Sequence, residues 1–212
     1  EGKAGSIATS IDRLETYFAH DAWVWEKIAL TKARFIAGDA ILAKQLNVVI
    51  DKIVNKSHDR GAVGKAVASM LNRIRKSQNE QSKWHLRTRD GGLVHLDLLT
   101  QAMRLENGHL FNDTGQSPSD ILDRLVAAEK INSSDFTELN AATSLLNEVH
   151  QCIRLTFGNA SHIPNTLPVR LRTFILTRMD LADEDQLALL LIASLDQVHN
   201  QLLNYSRIEK VK

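Results

Sequence analysis

The chain has 212 residues, with 26 Lys and Arg against 25 Asp and Glu, for a formal net charge of +1. That near-balance projects no strong field toward nucleic acid or an anionic membrane. The longest apolar run, Leu187 to Leu195, falls short of the ~20 residues needed to span a bilayer, and the single cysteine, Cys152, excludes an internal disulfide framework.

Residues 1–9 are small and polar and read as a remnant or linker. Thr9 or Ser10 caps a first helix through Ile11, Leu14, Tyr17 and Phe18. Ala22, Trp25, Ile28, Ala29, Ala33 and Ile36 form a stripe at helical spacing, with Lys32 its one polar member. This predicts a helix over Asp21–Ala37 with Trp25, Ala29 and Ala33 in the core. Gly38 stops it, and Asp39 caps a helix reaching about Val54. Val63 to Ile74 continues the pattern. Trp84–Arg89 alternates in character and reads as a short extended piece, and Asp90-Gly91-Gly92 as a turn before a helix over Leu93–Leu105. Ser117-Pro118 opens a helix to about Ala128, Ser133 or Ser134 a long one through Leu155, Val169–Thr177 a short one, and Asp183 to Tyr205 the last. The class is therefore all-α, a helical bundle of eight or nine helices with two sub-bundles dividing near residue 110. Its organisation is a remnant over 1–9, a helical domain over 10–205 and a tail over 206–212. No signal peptide is visible and Met does not open the chain, so the expectation is a fragment excised from a cytoplasmic protein.

Several residues invite a chemical reading. Asp183-Glu184-Asp185 is an Asp-x-Asp pair of the kind that holds Mg²⁺, but acids in a helix's first turn also complement the macrodipole. His20, the doublet His58-Asp59 and Asp97 match in type the His and Asp constellation of helical metal phosphohydrolases. Cys152 lies mid-helix among apolar neighbours and reads as a buried small residue. Glu26, Lys32 and Arg34 supply charge on the Trp-bearing helix, and on periodicity alone they form a solvated face. Arg87-Thr88-Arg89 before Gly91-Gly92 sets arginines beside a glycine turn at a helix start, a combination that can hold phosphate.

The stretch Ala22-Trp23-Val24-Trp25-Glu26 through Leu30-Thr31-Lys32-Ala33-Arg34, followed by Gly38-Asp39, resembles a signature of the bacterial glutamine synthetase adenylyltransferases. Leu86-Arg87 with Gly91-Gly92-Leu93-Val94-His95-Leu96-Asp97-Leu98 resembles a second. There Arg87 stands where Lys is usual, His95 replaces an acid, Asp97 replaces Glu and Leu98 replaces Phe. Gly2 to Gly5 with Ala8-Thr9-Ser10 is similar to the segment after the family's last catalytic strands. The resemblance covers Gly2 to about Tyr205.

This likeness implies the helical region that follows a C-terminal nucleotidyltransferase core, which would end near Gly5 and lies outside this sequence. The intact enzyme would move AMP from ATP to a tyrosine of glutamine synthetase with Mg²⁺, and the fragment alone would hold no cofactor, no metal and no activity. Lys32, Arg34, Arg87, Gly91, Gly92 and Asp97 become candidates for positions near the nucleotide phosphates, and Trp23, Trp25 and Glu26 for structural or interdomain roles. Implied partners are glutamine synthetase, the preceding nucleotidyltransferase domain and a PII-type signalling protein, with no nucleic acid and no membrane. The alternative is a non-catalytic module that docks glutamine synthetase or the signalling protein. A metal phosphohydrolase stands third.

Overall fold

The computed structural model describes residues 8–77, 82–158 and 163–207. The expectation for residues 1–7 and 208–212 lies outside them. Nine α-helices make up the described fold: α1 Ile11–His20, α2 Val24–Leu30, α3 Ala40–Val54, α4 Arg60–Ser77, α5 Leu93–Glu106, α6 Pro118–Ala127, α7 Ser133–Phe157, α8 Val169–Arg178 and α9 Glu184–Ser206.

Local capping chemistry sets most of the starts. Side-chain oxygens of Ser10, Asp39, Ser117, Asn132 and Asp183 each accept from a backbone N–H one turn on. Asp183 is thus occupied by Gln186 N–H at 2.8 Å, as the capping reading of the Asp-x-Asp pair requires. Ser117 and Asp120 reciprocate in a capping box behind Pro118.

The helix expected over Asp21–Ala37 is much shorter. The last turn of α2 tightens through Lys32 N to Ala29 O and Ala33 N to Leu30 O. The carbonyls that would carry it further are taken from outside: Gly115 N donates to Thr31 O, and Thr114 Oγ1 to Ala33 O. Tertiary hydrogen bonds, rather than Gly38, end the helix. The burial expectation is corrected with it. Ile28 is the buried residue of α2, Trp25 and Ala33 are half-buried, and Ala29 is exposed. Trp84–Arg89 is likewise a run of turns rather than an extended piece. Trp84 and Leu86 are buried within it, and the indole N–H donates to Asn165 O at 2.9 Å.

α5 is the central element, packed against α2, α4, α6, α7 and α9, and α7 runs along α9. One apolar cluster joins Val54, Val63, Leu96 and Leu105 to Leu146, Val149, Leu187 and Val198, so segments on both sides of residue 110 share a core. A small second cluster holds Phe111, Ile121 and Leu125. Arg104, fully buried, ties these parts together. Its guanidinium donates to Val54 O, the Asn55 side chain and Asp113 O, and lies 4.9 Å from the Phe111 ring. Burial lowers its pKa to about 10, which leaves it charged at neutral pH.

Candidate functional site

The end of α2 is clamped to α5 by two consecutive residues. Thr31, fully buried, places its hydroxyl 2.6 Å from both Ile28 O and the Gln101 side-chain oxygen. Lys32 Nζ donates to Asp97 Oδ2 at 2.6 Å. Asp97 and Gln101 are one turn apart and so share a face of α5. Lys32, Arg87 and Asp97 then line one groove of about 390 Å³, together with Asn147, His150 and Arg154 of α7. Residues from the two sequence motifs therefore meet at one surface.

Arg34 is placed elsewhere. It is exposed, and its side chain lies against Gly115, outside the groove. Gly91 and Gly92 lie beneath the surface. Gly91 has φ +75°, and a Cβ there would sit 1.7 Å from Leu195 O of α9, while a Cβ on Gly92 would sit 2.3 Å from Leu86 O. The amides at this helix start are consumed within the chain: Gly91 N donates to His95 Nδ1, Gly92 N to Arg89 O, Leu93 N to Leu86 O and Val94 N to Arg87 O. The turn thus holds α5 close to α9 and fixes where Arg87 leaves the backbone.

His95 is fully buried. Its Nδ1 accepts from Gly91 N at 2.9 Å, a bond that a carboxylate could also accept. The acid-to-histidine change at this position acts on the turn, away from the groove. Burial lowers the His95 pKa to about 4, against the field of Asp90 and with those of His199 and Arg75, so the ring is neutral.

Asp90, His95 and His199 are the one group among the described residues whose ligand atoms are close enough to share a metal. Hydrogen bonding opposes that use. Gly91 N–H on His95 Nδ1 puts the ring proton on Nε2, and Arg75 Nη2, 3.4 Å from His199 Nε2, puts that ring's proton on Nδ1. His95 Nε2 and His199 Nδ1 are buried without a hydrogen-bond partner, with Asp90 Oδ1 3.8 Å from His95 Nε2, and in these tautomers they carry N–H groups rather than the lone pairs a cation needs. The phosphohydrolase constellation is not assembled either. His58 Nε2 bonds Ile53 O at 2.8 Å, Asp59 Oδ1 caps Ala62 N–H at 2.7 Å, and Asp97 is held by Lys32.

Glu26 lies where α1 meets α2. It accepts from Tyr17 Oη at 2.7 Å and from Trp23 N–H at 2.8 Å, which fixes α1 against the start of α2. Trp23 itself is 68% exposed, and Phe35, Ile36, Ile41 and Leu42 are further exposed apolar residues after it in the chain.

His150 and Arg154 were absent from the sequence-based candidates. They lie at i and i+4 on α7, with Asn147 at i−3, a spacing that marks a single face. Burial lowers the His150 pKa, and the charges of Arg154, Arg87 and His85 lower it further. Sequence spacing identifies that face of α7 but cannot say that it closes over Arg87.

Comparison with known proteins points to the family that the sequence resembles. The profile of the glutamate-ammonia ligase adenylyltransferase family matches residues 1–48. A bifunctional glutamine synthetase adenylyltransferase/adenylyl-removing enzyme of Bartonella quintana is 32% identical over 83% of this chain and 18% of its own length. The Bartonella henselae enzyme of the same description is 32% identical over 79% of the chain and 17% of its own length, and that of Agrobacterium fabrum 30% over 86% and 18%. The chain therefore spans less than a fifth of the length of these curated relatives. By these matches and by the two motifs that meet at Lys32 and Asp97, the chain belongs to the glutamate-ammonia ligase adenylyltransferase family and aligns with one part of its full-length members.

Proposed function

We propose that this chain is the helical region flanking the nucleotidyltransferase core of an enzyme that transfers AMP from ATP to a tyrosine of glutamine synthetase. What carries the reading is that the segments of resemblance, 22–34 and 86–98, are joined by the Lys32–Asp97 ion pair beside Arg87. Mg²⁺ does not fit the described residues: Asp97 is engaged by Lys32, Asp183 by its helix amides, and the Asp90 cluster presents N–H groups. No step is therefore placed on a metal held by this chain. The contribution is charge and position. Arg87 and Lys32 stand toward the nucleotide phosphates, and Asp97 orients Lys32. The Gly91-Gly92 turn sets the height of Arg87, and Arg34, outside the groove beside Gly115, takes no part in the phosphate contacts. Charge-assisted hydrogen bonds to phosphate are worth about 1.5–3 kcal/mol each, or roughly 10- to 150-fold in rate where they form in the transition state.

The test is incorporation of labelled AMP into glutamine synthetase by the full-length protein. Arg87→Ala and Lys32→Ala each lower the rate about tenfold or more while the thermal midpoint holds. Undiminished AMP transfer in both variants refutes the reading.

A second reading is favoured by one observation. Trp23, Phe35, Ile36, Ile41 and Leu42 form an exposed apolar set inside the segment that matches the family profile. On this view the chain is a docking module, with the preceding catalytic domain, glutamine synthetase or a PII-type signalling protein as occupant. Direct binding of glutamine synthetase to the 212-residue chain, abolished by Ile36→Asp and Trp23→Asp, would place this reading first.

A further inference from the structure

The wall of the groove formed by α7 carries chemistry that neither sequence motif contains. Asn147, His150 and Arg154 present one helical face to Lys32, Arg87 and Asp97. Asp97 is the one carboxylate lining the groove, and Lys32 neutralises it at 2.6 Å. Arg87 and Arg154, both exposed, have no ion-pair partner among the described residues. Two guanidinium groups therefore face a groove whose other charges cancel. Both also act electrostatically on His150, which lines the same groove. A guanidinium offers a planar fork of donors that matches phosphoryl oxygens bidentately, and two such forks match an anion of charge −2 or more better than a single carboxylate.

We propose that the groove between α5 and α7 is a binding site for a phosphoryl oligoanion, a di- or triphosphate, gripped by Arg87 and Arg154 with Asn147 and His150 completing its hydrogen bonds. This deepens the functional reading above by adding α7 to the site and by making the affinity a property of this chain, without the catalytic core. It also replaces the expectation that the chain alone binds nothing.

The experiment is calorimetric titration of the 212-residue chain with inorganic pyrophosphate at low ionic strength, with ATP and adenosine as parallel probes. Saturable pyrophosphate binding is expected, weakened about tenfold or more by Arg87→Gln and by Arg154→Gln. Lys130→Gln, whose site lines a different cavity beside Arg60 and Glu106, leaves it unchanged. Both arginines are exposed, so unaltered circular dichroism melts will accompany the loss. An independent readout is the His150 ring followed by NMR. Its pKa rises when pyrophosphate screens Arg87, Arg154 and His85, and does not rise in Arg154→Gln. ATP and pyrophosphate binding alike, with adenosine silent, identifies the phosphates as the recognised group. Tighter ATP binding identifies the nucleotide as their source. The proposal is overturned by absence of pyrophosphate binding at millimolar concentration, by undiminished binding in Arg154→Gln, or by an equal loss in Lys130→Gln. Absent binding with Arg87-dependent AMP transfer intact in the full-length protein sinks this site alone. Binding retained while AMP transfer ignores both Arg87 and Lys32 sinks the functional reading alone.

Discussion

Gly91→Ala separates a packing role for the glycine turn from a ligand role. Two costs apply in the structure. Gly91 sits at φ +75°, where an L side chain is strained by about 1–3 kcal/mol. The new Cβ would also fall 1.7 Å from Leu195 O and 2.8 Å from Leu195 Cα, atoms of helix α9 that cannot rotate away as a side chain would. Relieving that overlap by shifting α5 from α9 adds about 1–3 kcal/mol by the usual scale of overpacking. Gly158→Ala is the natural control. It shares a positive φ of +61°, but a Cβ there meets nothing within 4 Å, so it carries the backbone term alone. Urea unfolding of both variants followed by circular dichroism should show Gly91→Ala destabilised by about 2–6 kcal/mol, and by about 1–3 kcal/mol more than Gly158→Ala. Equal midpoints for the two variants would refute the close approach of the turn to α9. With it would fall the claim that Gly91 is required by packing.

Three further outcomes follow from burial and charge. Ile28→Ala, at a site 5% exposed, should cost about 2–4 kcal/mol, whereas Trp23→Ala, at 68% exposure, should move chemical stability by less than about 1 kcal/mol; the reverse order would place Trp23 in the core. A double-mutant cycle on Lys32 and Asp97, whose side chains are 53% and 34% exposed, should return a coupling of only about 0.5–1 kcal/mol, and a value above 2 kcal/mol would mean the pair is more buried than described. Stability should fall on acidification. Burial depresses the folded-state pKa of His58, His95 and His150 below 6.5, so the unfolded chain binds protons first. This contribution is complete above pH 6.5 and is lost as pH drops toward about 4, the folded-state value of His95, whose shift alone is worth about 3 kcal/mol. Urea midpoints that stay flat between pH 7.5 and 5 would show that these rings are solvated.

What could be read from sequence divides by how local its cause is. Ser10, Asp39, Ser117 and Asp183 cap their helices with bonds that span three residues, so a short window of sequence contains both partners. The end of α2 was not legible because the donors that stop it, Gly115 and Thr114, lie more than 80 residues away. The turns of Trp84–Arg89 hid for the same reason: Trp84 is drawn inward by Asn165 O, so its alternation with polar neighbours is not that of a strand. At the groove, Lys32, Arg87 and Asp97 could be named because each belongs to a motif. Arg154 could not, since only the packing of α7 on α5 brings it opposite Arg87.

Position 95 shows how a sequence departure and its consequence can lie on different surfaces. Read along the chain, His95 and Asp97 are two members of one acidic pattern, and loss of the first acid suggests a weakened site. In the helix they are 200° apart, so they face different neighbours. Asp97 points to Lys32 and the groove, and His95 points inward to Gly91 N–H. The requirement at 95 is an acceptor in a buried turn, which neutral Nδ1 meets without bringing a negative charge into the core. The requirement at 97 is a negative charge at the surface, which this chain keeps in a shorter side chain. The change therefore bears on how the turn is held and on the pH range over which it stays held. Under the proposed anion site, binding in the groove depends on Arg87 and Arg154, and His95 lies outside that groove's lining.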